Sequence, residues 1–427
     1  MRVLATVLLI LCFHGLLLAQ VELEPWQCTA PMLEPRADHG MAAGSNAVYV
    51  VGGFAPEGNL ASSVEYSPID RDGFLVGFTP ASPLNQARAW TMAVATDTHV
   101  YAIGGASCDT LVSCTVSSVE FAAIQPDGSL GAWQFTALLN GNGRAHAAAI
   151  LHGDQIYLVG GYRTGSGRLS TVETTTINPD GTLAPWTVLA ESMTVAREKP
   201  SAGIVGNVLV AAGGLGPGIL TSSEWTTVLS GGGLNPWQPG PPLAMPRYRG
   251  ASLAVGNTVF AVGGYNNGQT LGFNSVESAV VGPVGPLGWV DSTPMQEPRI
   301  AFAACRHGDW VYVSGGNPAN GGPSFSPTVE RSWILVPADF IRGDCNGDGV
   351  IDVSDPVALL GLLFLGDEPA CRDGCDANDD GGLDIADVTL SLNLVFGGVA
   401  SPLPPFPDCG ADSNPDPLSC GLSACVP

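Results

Sequence analysis

Basic residues are scarce in this chain. Sixteen Lys and Arg stand against thirty-nine Asp and Glu, the formal net charge is −23, and Lys199 is the single lysine among 427 residues. Nucleic acids and anionic membranes are held by clustered cations that displace counterions, so both partner classes are excluded. Beyond the first twenty residues there is no apolar run long enough to span a bilayer. Gly-x-Ser-x-Gly, His-Glu-x-x-His and a phosphate-binding Gly-rich loop are all absent. That removes three common enzyme readings. Nor does any helix-period segment interrupt residues 22 to 340.

What the chain has instead is repetition. A Gly-Gly pair ends an apolar run six times, at Gly52-Gly53, Gly104-Gly105, Gly160-Gly161, Gly213-Gly214, Gly263-Gly264 and Gly315-Gly316. Sixteen residues before each stands an Arg: Arg36, Arg88, Arg144, Arg197, Arg247 and Arg299. A Glu follows each after a short polar loop: Glu65, Glu120, Glu173, Glu224, Glu277 and Glu330. The spacing is 50 to 56 residues. An aromatic closes most units, Phe78, Trp133, Trp186, Trp237 and Trp289, and the sixth lacks one near Ile341. Trp26, one period ahead of Phe78, supplies it. A repeat whose last piece stands at its start describes a ring, because the N-terminal strand completes the final sheet and leaves no open edge.

Within a unit the run before Gly-Gly reads as strand, as in Ala47-Val48-Tyr49-Val50-Val51 and Gln155-Ile156-Tyr157-Leu158-Val159. Turns such as Pro126-Asp127-Gly128 and Pro179-Asp180-Gly181 precede the closing Trp. Each unit therefore holds about four short strands, the content of one propeller blade. The double glycine, the later Ser-Val-Glu or Thr-Val-Glu and the closing Trp resemble the kelch repeat over roughly residues 22 to 340. Phe78 in place of Trp and Ser222-Ser223-Glu224 are the departures. The expected fold is all-β, a six-bladed β-propeller over 20–340 closed by the N-terminal strand, with a small α-helical C-terminal domain. A residue present in every blade answers a need of every blade. The repeated Arg and Glu are thus expected to be structural, satisfying backbone groups or pairing between blades.

Residues 1–19 carry one early Arg, a leucine-rich run and Leu18-Ala19, the pattern of a secretory signal peptide cleaved after Ala19. A retained anchor is the alternative, opposed by the shortness of the run and the lack of a basic stop signal. The expected location is outside the cell, secreted or surface-associated. Cleavage removes Cys12 and leaves ten cysteines in an oxidising compartment. Cys108 and Cys114 are expected to bridge, and Cys28 and Cys305 to form a latch where the ring closes. The other six cysteines are C-terminal and allow fifteen connectivities.

Acidity is concentrated in residues 341–427, with fifteen Asp and Glu against two Arg, a net −13. Such crowding calls for a counter-charge. Two twelve-residue loops offer oxygen ligands at EF-hand spacing: Asp344, Asn346, Asp348, the carbonyl of Val350, Asp352 and Asp355, then Asp376, Asn378, Asp380, the carbonyl of Gly382, Asp384 and Asp387. Gly349 and Gly381 stand at the bend, and the pattern predicts two calcium ions. Helix candidates, Pro356 to Leu365 and Val388 to Phe396, follow the loops, and none precedes them. Duplicated loop-helix units with Asp at position 12 resemble the type I dockerin over 341–398, which implies a cohesin-like partner or surface complex and a setting in polysaccharide breakdown. In that family loop positions 10 and 11 and basic helix residues meet the partner. Here they are Val353-Ser354 and Ile385-Ala386, with Leu360-Gly361 and Leu392-Asn393 on the helices. A Pro/Cys-rich tail occupies 399–427.

Ligands are asymmetric and blades are alike, so a propeller site belongs where the repeats differ. Two residues after each repeated Arg the chain reads Asp38, Trp90, His146, Lys199, Arg249 and Ala301, and Phe54, Tyr162 and Tyr265 directly follow Gly-Gly pairs. In kelch propellers these positions lie near the mouth of the central channel. An acid, cations and aromatic faces there suit a glycan or a protein ligand such as an acidic peptide. No catalytic residues are assigned. A copper radical oxidase is opposed by the absence of a Cys-Tyr arrangement, and His99, His152 and His307 are expected to be exposed in turns. The alternative is a kelch-type sugar epimerase using Asp38, His146 and Arg249.

Overall fold

The computed structural model describes residues 21–109, 114–266, 271–318, 325–335, 340–366, 369, 371–397, 405, 406 and 410. The expected signal peptide and most of the tail lie outside these residues. Six antiparallel sheets follow one another along the chain. Blade 1 comprises Gly40–Ala43, Ala47–Val51, Val64–Pro68 and Thr79–Ala81, and blade 2 comprises Met92–Ala95, His99–Ile103, Val119–Ala123 and Gln134–Phe135. Blades 3 to 5 repeat the order from Ala148–His152, Ser201–Val205 and Ala251–Val255 onward. Blade 6 has Ala303–His307, Trp310–Ser314 and Val329–Leu335. Its outer strand is supplied by the N-terminus: Gln27–Thr29 pairs with Val329 to Arg331, and Glu22–Leu23 with Ile334 and Leu335.

Six apolar clusters lie between neighbouring sheets, and each contains a closing aromatic. Trp133 sits between blades 1 and 2, Trp186 between 2 and 3, and Phe78 between 6 and 1. Trp26 occupies the same place between blades 5 and 6, with Phe260, Phe302 and Val311. Its indole N–H donates to Thr293 O at 3.0 Å, as that of Trp133 donates to Ser82 O at 2.8 Å. Ring closure thus reproduces an ordinary inter-blade contact in side chain as well as backbone.

Each repeated Arg is buried and pairs with the Glu of its own blade at 2.5 to 2.9 Å. The same guanidinium donates to the carbonyl of the first glycine of the pair at 2.8 to 3.0 Å. The Glu accepts N–H bonds from the segment entering the blade, for example Thr194 and Val195 onto Glu224. Pairing is therefore within blades; the link between blades is made by backbone. The second glycine's N–H donates to the next blade's Arg carbonyl, including Gly316 to Arg36 across the closure, at 2.7 to 2.9 Å. Both glycines have positive φ, 56–67° and 84–100°, and a Cβ on Gly52 would stand 2.6 Å from Arg88 O. Only glycine meets both demands.

The Cys108–Cys114 bridge is present, whereas Cys28 and Cys305 are free thiols. Cys28 lies on the outermost strand of blade 6 and Cys305 on the innermost, three strand spacings apart, roughly 14 Å. A disulfide needs Cα atoms within about 7 Å. The register also pairs Cys28 in line with Ala304, which puts Cys305 on the opposite face of the sheet.

In the C-terminal part the helices run Ser354–Leu365, Arg372–Cys375 and Ile385–Gly397. The two long ones start earlier than the sequence pattern indicates, because the position-12 carboxylates fall in their first turns. A four-residue helix does precede the second loop. Cys345, Leu359, Cys375 and Val388 form the small core, and Cys345–Cys375 ties the first loop to the residue before the second. Cys371 is also disulfide-bonded. Among the described residues no helix is long and apolar enough to cross a membrane.

Deleting residues 20–32 removes the outer strand of blade 6 and Trp26 together. The melting temperature is expected to fall by at least about 10 °C, measured by thermal circular dichroism; an unchanged transition would refute closure as a source of stability.

Candidate functional site

The six residues two places after the repeated Arg form a ring around the axis. Their backbones are linked head to tail: Trp90 N–H to Asp38 O, His146 to Trp90, Lys199 to His146, Ala301 to Arg249 and Asp38 to Ala301, at 2.6 to 3.2 Å. All six have φ of 49–60°, a left-handed conformation that costs a non-glycine residue roughly 1 kcal/mol or more. Six such residues at equivalent positions mean that the ring imposes the conformation.

The side chains converge. Asp38 is buried, one oxygen ion-paired to Arg249 and the other 3.3 Å from His146 Nε2. His146 Nδ1 stands 2.8 Å from Glu198 Oε1, which also accepts the Tyr248 hydroxyl at 2.5 Å. Arg168 reaches the other oxygen of Glu198 at 3.5 Å. Blades 1, 3, 4 and 5 thus share one polar chain. Burial opposes ionisation of Asp38, but Arg249, His146 and Lys199 hold its carboxyl well below the ordinary range. Burial likewise opposes ionisation of Glu198, but His146, the Tyr248 hydroxyl and Arg168 together hold its carboxyl below the ordinary range. Lys199 is pushed down, chiefly by burial.

Aromatic rings frame this chain. Trp90 meets Phe54 and His146 edge-on at 4.8 and 5.7 Å, and Tyr265 packs on Tyr248 at 5.8 Å. Tyr162 pairs through its backbone with Arg168 in a small ribbon and has no ring contact with the cluster. Glu198 and Tyr248 escaped the sequence reading. They stand one residue after the repeated Arg, where the other blades have Ala37, Ala89, Ala145 and Ile300, so comparing repeats at that column exposes them. His99, His152 and His307 are half-buried rather than exposed; His307 Nδ1 lies 2.9 Å from Gly44 O, and His99 packs against Phe121. Turn residues of one blade lie against the next.

No family model matches the chain. A stretch of 131 residues, 30% of the chain, is 37% identical to Kelch-like protein 33 of Homo sapiens, and spans 22% of that protein's length. The solved structure titled "Structure of YjhT" aligns with a TM-score of 0.54 over 70% of this chain and 95% of that one, at 13% identity, a likeness of fold alone. The matched stretch is thus similar to a kelch-like protein, and the six-bladed propeller is the fold of the whole repeat region. In this propeller the repeated Arg, Glu and Gly-Gly build the blades, and the ring carries what is particular to the chain.

The second candidate lies beyond the blades. Asp344, Asp355, Asp376 and Asp387 are fully buried, at positions 1 and 12 of the two acidic loops. Burial, then the nearby Asp344 and Asp348, pushes the Asp355 carboxyl up to about 6. Asp344 accepts N–H bonds from Gly347, Asp348 and Gly349, and Asp355 from Asn346 and Asp352; Asp376 and Asp387 do the same in the second loop. Among the described residues no three His, Cys, Asp or Glu side chains are drawn together on one point. The donor set of Asp, Asn, Asp, carbonyl and Asp around a Gly bend is nonetheless one that suits a hard cation. Val353, just before the first long helix, and Phe364 on it, and thirty-two residues on Ile385 and Phe396, are 49–74% exposed, giving two matching apolar edges.

Asp38 and His146 are buried, and Trp90, Lys199 and Arg249 are partly exposed, but Arg249 is tied to the buried Asp38 carboxylate. Arg249→Ala should therefore destabilise by roughly 1–3 kcal/mol, since it strips a buried carboxylate of its partner. Trp90→Ala should stay within about 1 kcal/mol of wild type. Urea unfolding decides: equal effects would overturn this assignment.

Proposed function

We propose that this is a secreted, non-catalytic binding and assembly protein. Its kelch propeller recognises a glycan or a protein at the axial ring, and its C-terminal dockerin-like module binds two calcium ions and docks to a cohesin-like partner or surface complex, in the setting of polysaccharide breakdown. The observation that carries the first half is the convergence of Asp38, Trp90, His146 and Arg249 from different blades on one mouth. Charged hydrogen bonds beside aromatic edges are the means by which sugars and polar peptides are held.

The second half rests on the paired loops and the matching apolar edges. Calcium, when bound, would neutralise the crowded carboxylates. Asp344, Asn346, Asp348, the Val350 carbonyl, Asp352 and Asp355 would hold one ion, and their counterparts from Asp376 to Asp387 the other. Val353, Ile385 and the exposed helix residues would then meet the partner through apolar contact, since Lys and Arg are missing from that surface.

Calorimetry on the full chain should give two calcium ions, with Asp355→Asn and Asp387→Asn each losing one. A stoichiometry below two in the wild type would refute the calcium reading.

A glycan array, with pull-down from the producing organism's secreted proteins, should return a ligand whose binding weakens at least tenfold in Trp90→Ala. The rival is a kelch-type enzyme acting on a sugar, favoured by His146 being held between two carboxylates. Turnover of the bound sugar that disappears in His146→Ala would establish the rival instead.

A further inference from the structure

Each inner strand turns an unpaired backbone edge toward the axis, and the space between these edges is continuous. A cavity of about 120 Å³ adjoins the ring and is lined by residues of all six inner strands and by His39, Lys199 and Phe302 just before three of them. A wider one of about 370 Å³ lies further along, toward Arg306. The two share one residue from each blade, namely Met41, Ala93, Ala149, Ala202, Ser252 and Ala304. They are successive layers of one channel, and its small side chains leave it open. At the ring end, the links from Asp38 to His146 and from Asp38 to Arg249 run as chords from blade 1 to blades 3 and 5. The channel is thus a funnel, wide at the Arg306 end and closed by the polar chain.

Lys199 is the one ring residue that lines the narrow end. The other cations near the axis are spoken for: the repeated Arg by their Glu, and Arg249 by Asp38. Both Asp38 oxygens are engaged by Arg249 and His146, so Lys199 feels that carboxylate only through space. No hydrogen bond or ion pair joins its ammonium to a described residue. Neighbouring His39 adds no charge, because burial pushes it down to about 3 and its Nε2 is occupied with Ser314 Oγ at 2.8 Å. Partly exposed and lining the narrow end, this cation has no partner among the described residues and is left to be balanced by whatever enters the channel. Here it is the only lysine of a chain with net charge −23.

We propose that the narrow end of the channel is a binding site for a small oxyanion, a carboxylate, sulfate or phosphate, held by Lys199 and by N–H groups on the inner strand edges. The volume sets the class. At about 30 Å³ per water, 120 Å³ holds roughly four waters, which is room for a small anion and not for a polymer. The ligand enters from the Arg306 end, so this site is separate from recognition at the ring mouth.

The test is thermal unfolding and calorimetry of the full chain at constant ionic strength, with sodium acetate, sulfate and phosphate against a chloride control. At least one oxyanion should raise the melting temperature saturably, by about 2–4 °C, with one site per chain. Lys199→Met should bind that ion at least tenfold more weakly, Lys199→Arg should retain it, and Trp90→Ala should leave its affinity unchanged. Without any anion, Lys199→Met should melt no lower than wild type, since it loses a charge that has no protein partner. The proposal falls if no oxyanion binds above the chloride control, if Lys199→Met binds as tightly as wild type, if Lys199→Met alone melts several degrees lower, or if Trp90→Ala abolishes anion binding. Failure of the glycan array with anion binding intact would refute the mouth reading and leave this one standing.

Discussion

The buried ion pair of each blade is the constraint from which the rest of the propeller follows. One guanidinium, Arg197 for instance, binds the Glu224 carboxylate, the Gly213 carbonyl and Ser222 at once. It thereby locks the end of the second strand, the start of the third and, through Glu224, the segment entering the blade. Removing such a pair from water costs several kcal/mol per ion, and the cost is offset by the bonds that both terminal guanidinium nitrogens make, even though the Nε of Arg197 stays without a partner. The geometry tolerates no slack. That is why Arg stands a constant sixteen residues before Gly-Gly, while the polar loop lets the Glu follow the Arg at 27 to 32 residues.

The fold was legible because its constraints are repeated. Six copies of a spacing outweigh the ambiguity of any single short strand, and Trp26 revealed the closure by standing one period early. The tight turns after Asp344 and Asp376 were legible for a related reason, since chain geometry fixes where Gly and Asp stand in such a turn. What escaped depended on direction rather than on spacing. Nothing in the sequence separates the innermost strand of a blade from the outermost, so Cys28 and Cys305 looked adjacent when a whole sheet lies between them. The burial of Asp38 and His146 follows from the left-handed ring, and left-handed backbone is signalled in sequence by glycine, which none of the six residues is.

The ring also separates two kinds of work. Backbone N–H and C=O groups hold it together, and these are common to all residues, so the ring itself does not dictate which side chains stand at the six positions. A carboxylate, an indole, an imidazole, an ammonium, a guanidinium and a methyl group share one conformation there. The blades fix where these groups stand, and their identities set the chemistry of the axis.

The closure of blade 6 places a demand on the order of events during synthesis. Residues 22–29 leave the ribosome first, yet their partner strand at Val329–Leu335 is made some three hundred residues later. Throughout that interval a segment bearing Trp26 and Cys28 has no sheet to join, and blade 5 has no neighbour on its exposed face. Blades 1 to 5 can each form from local contacts, but the toroid becomes a single cooperative object only when the first and last segments meet, the step with the highest contact order in the molecule. The ring is thus assembled like a belt. Its buckle is made first and fastened last.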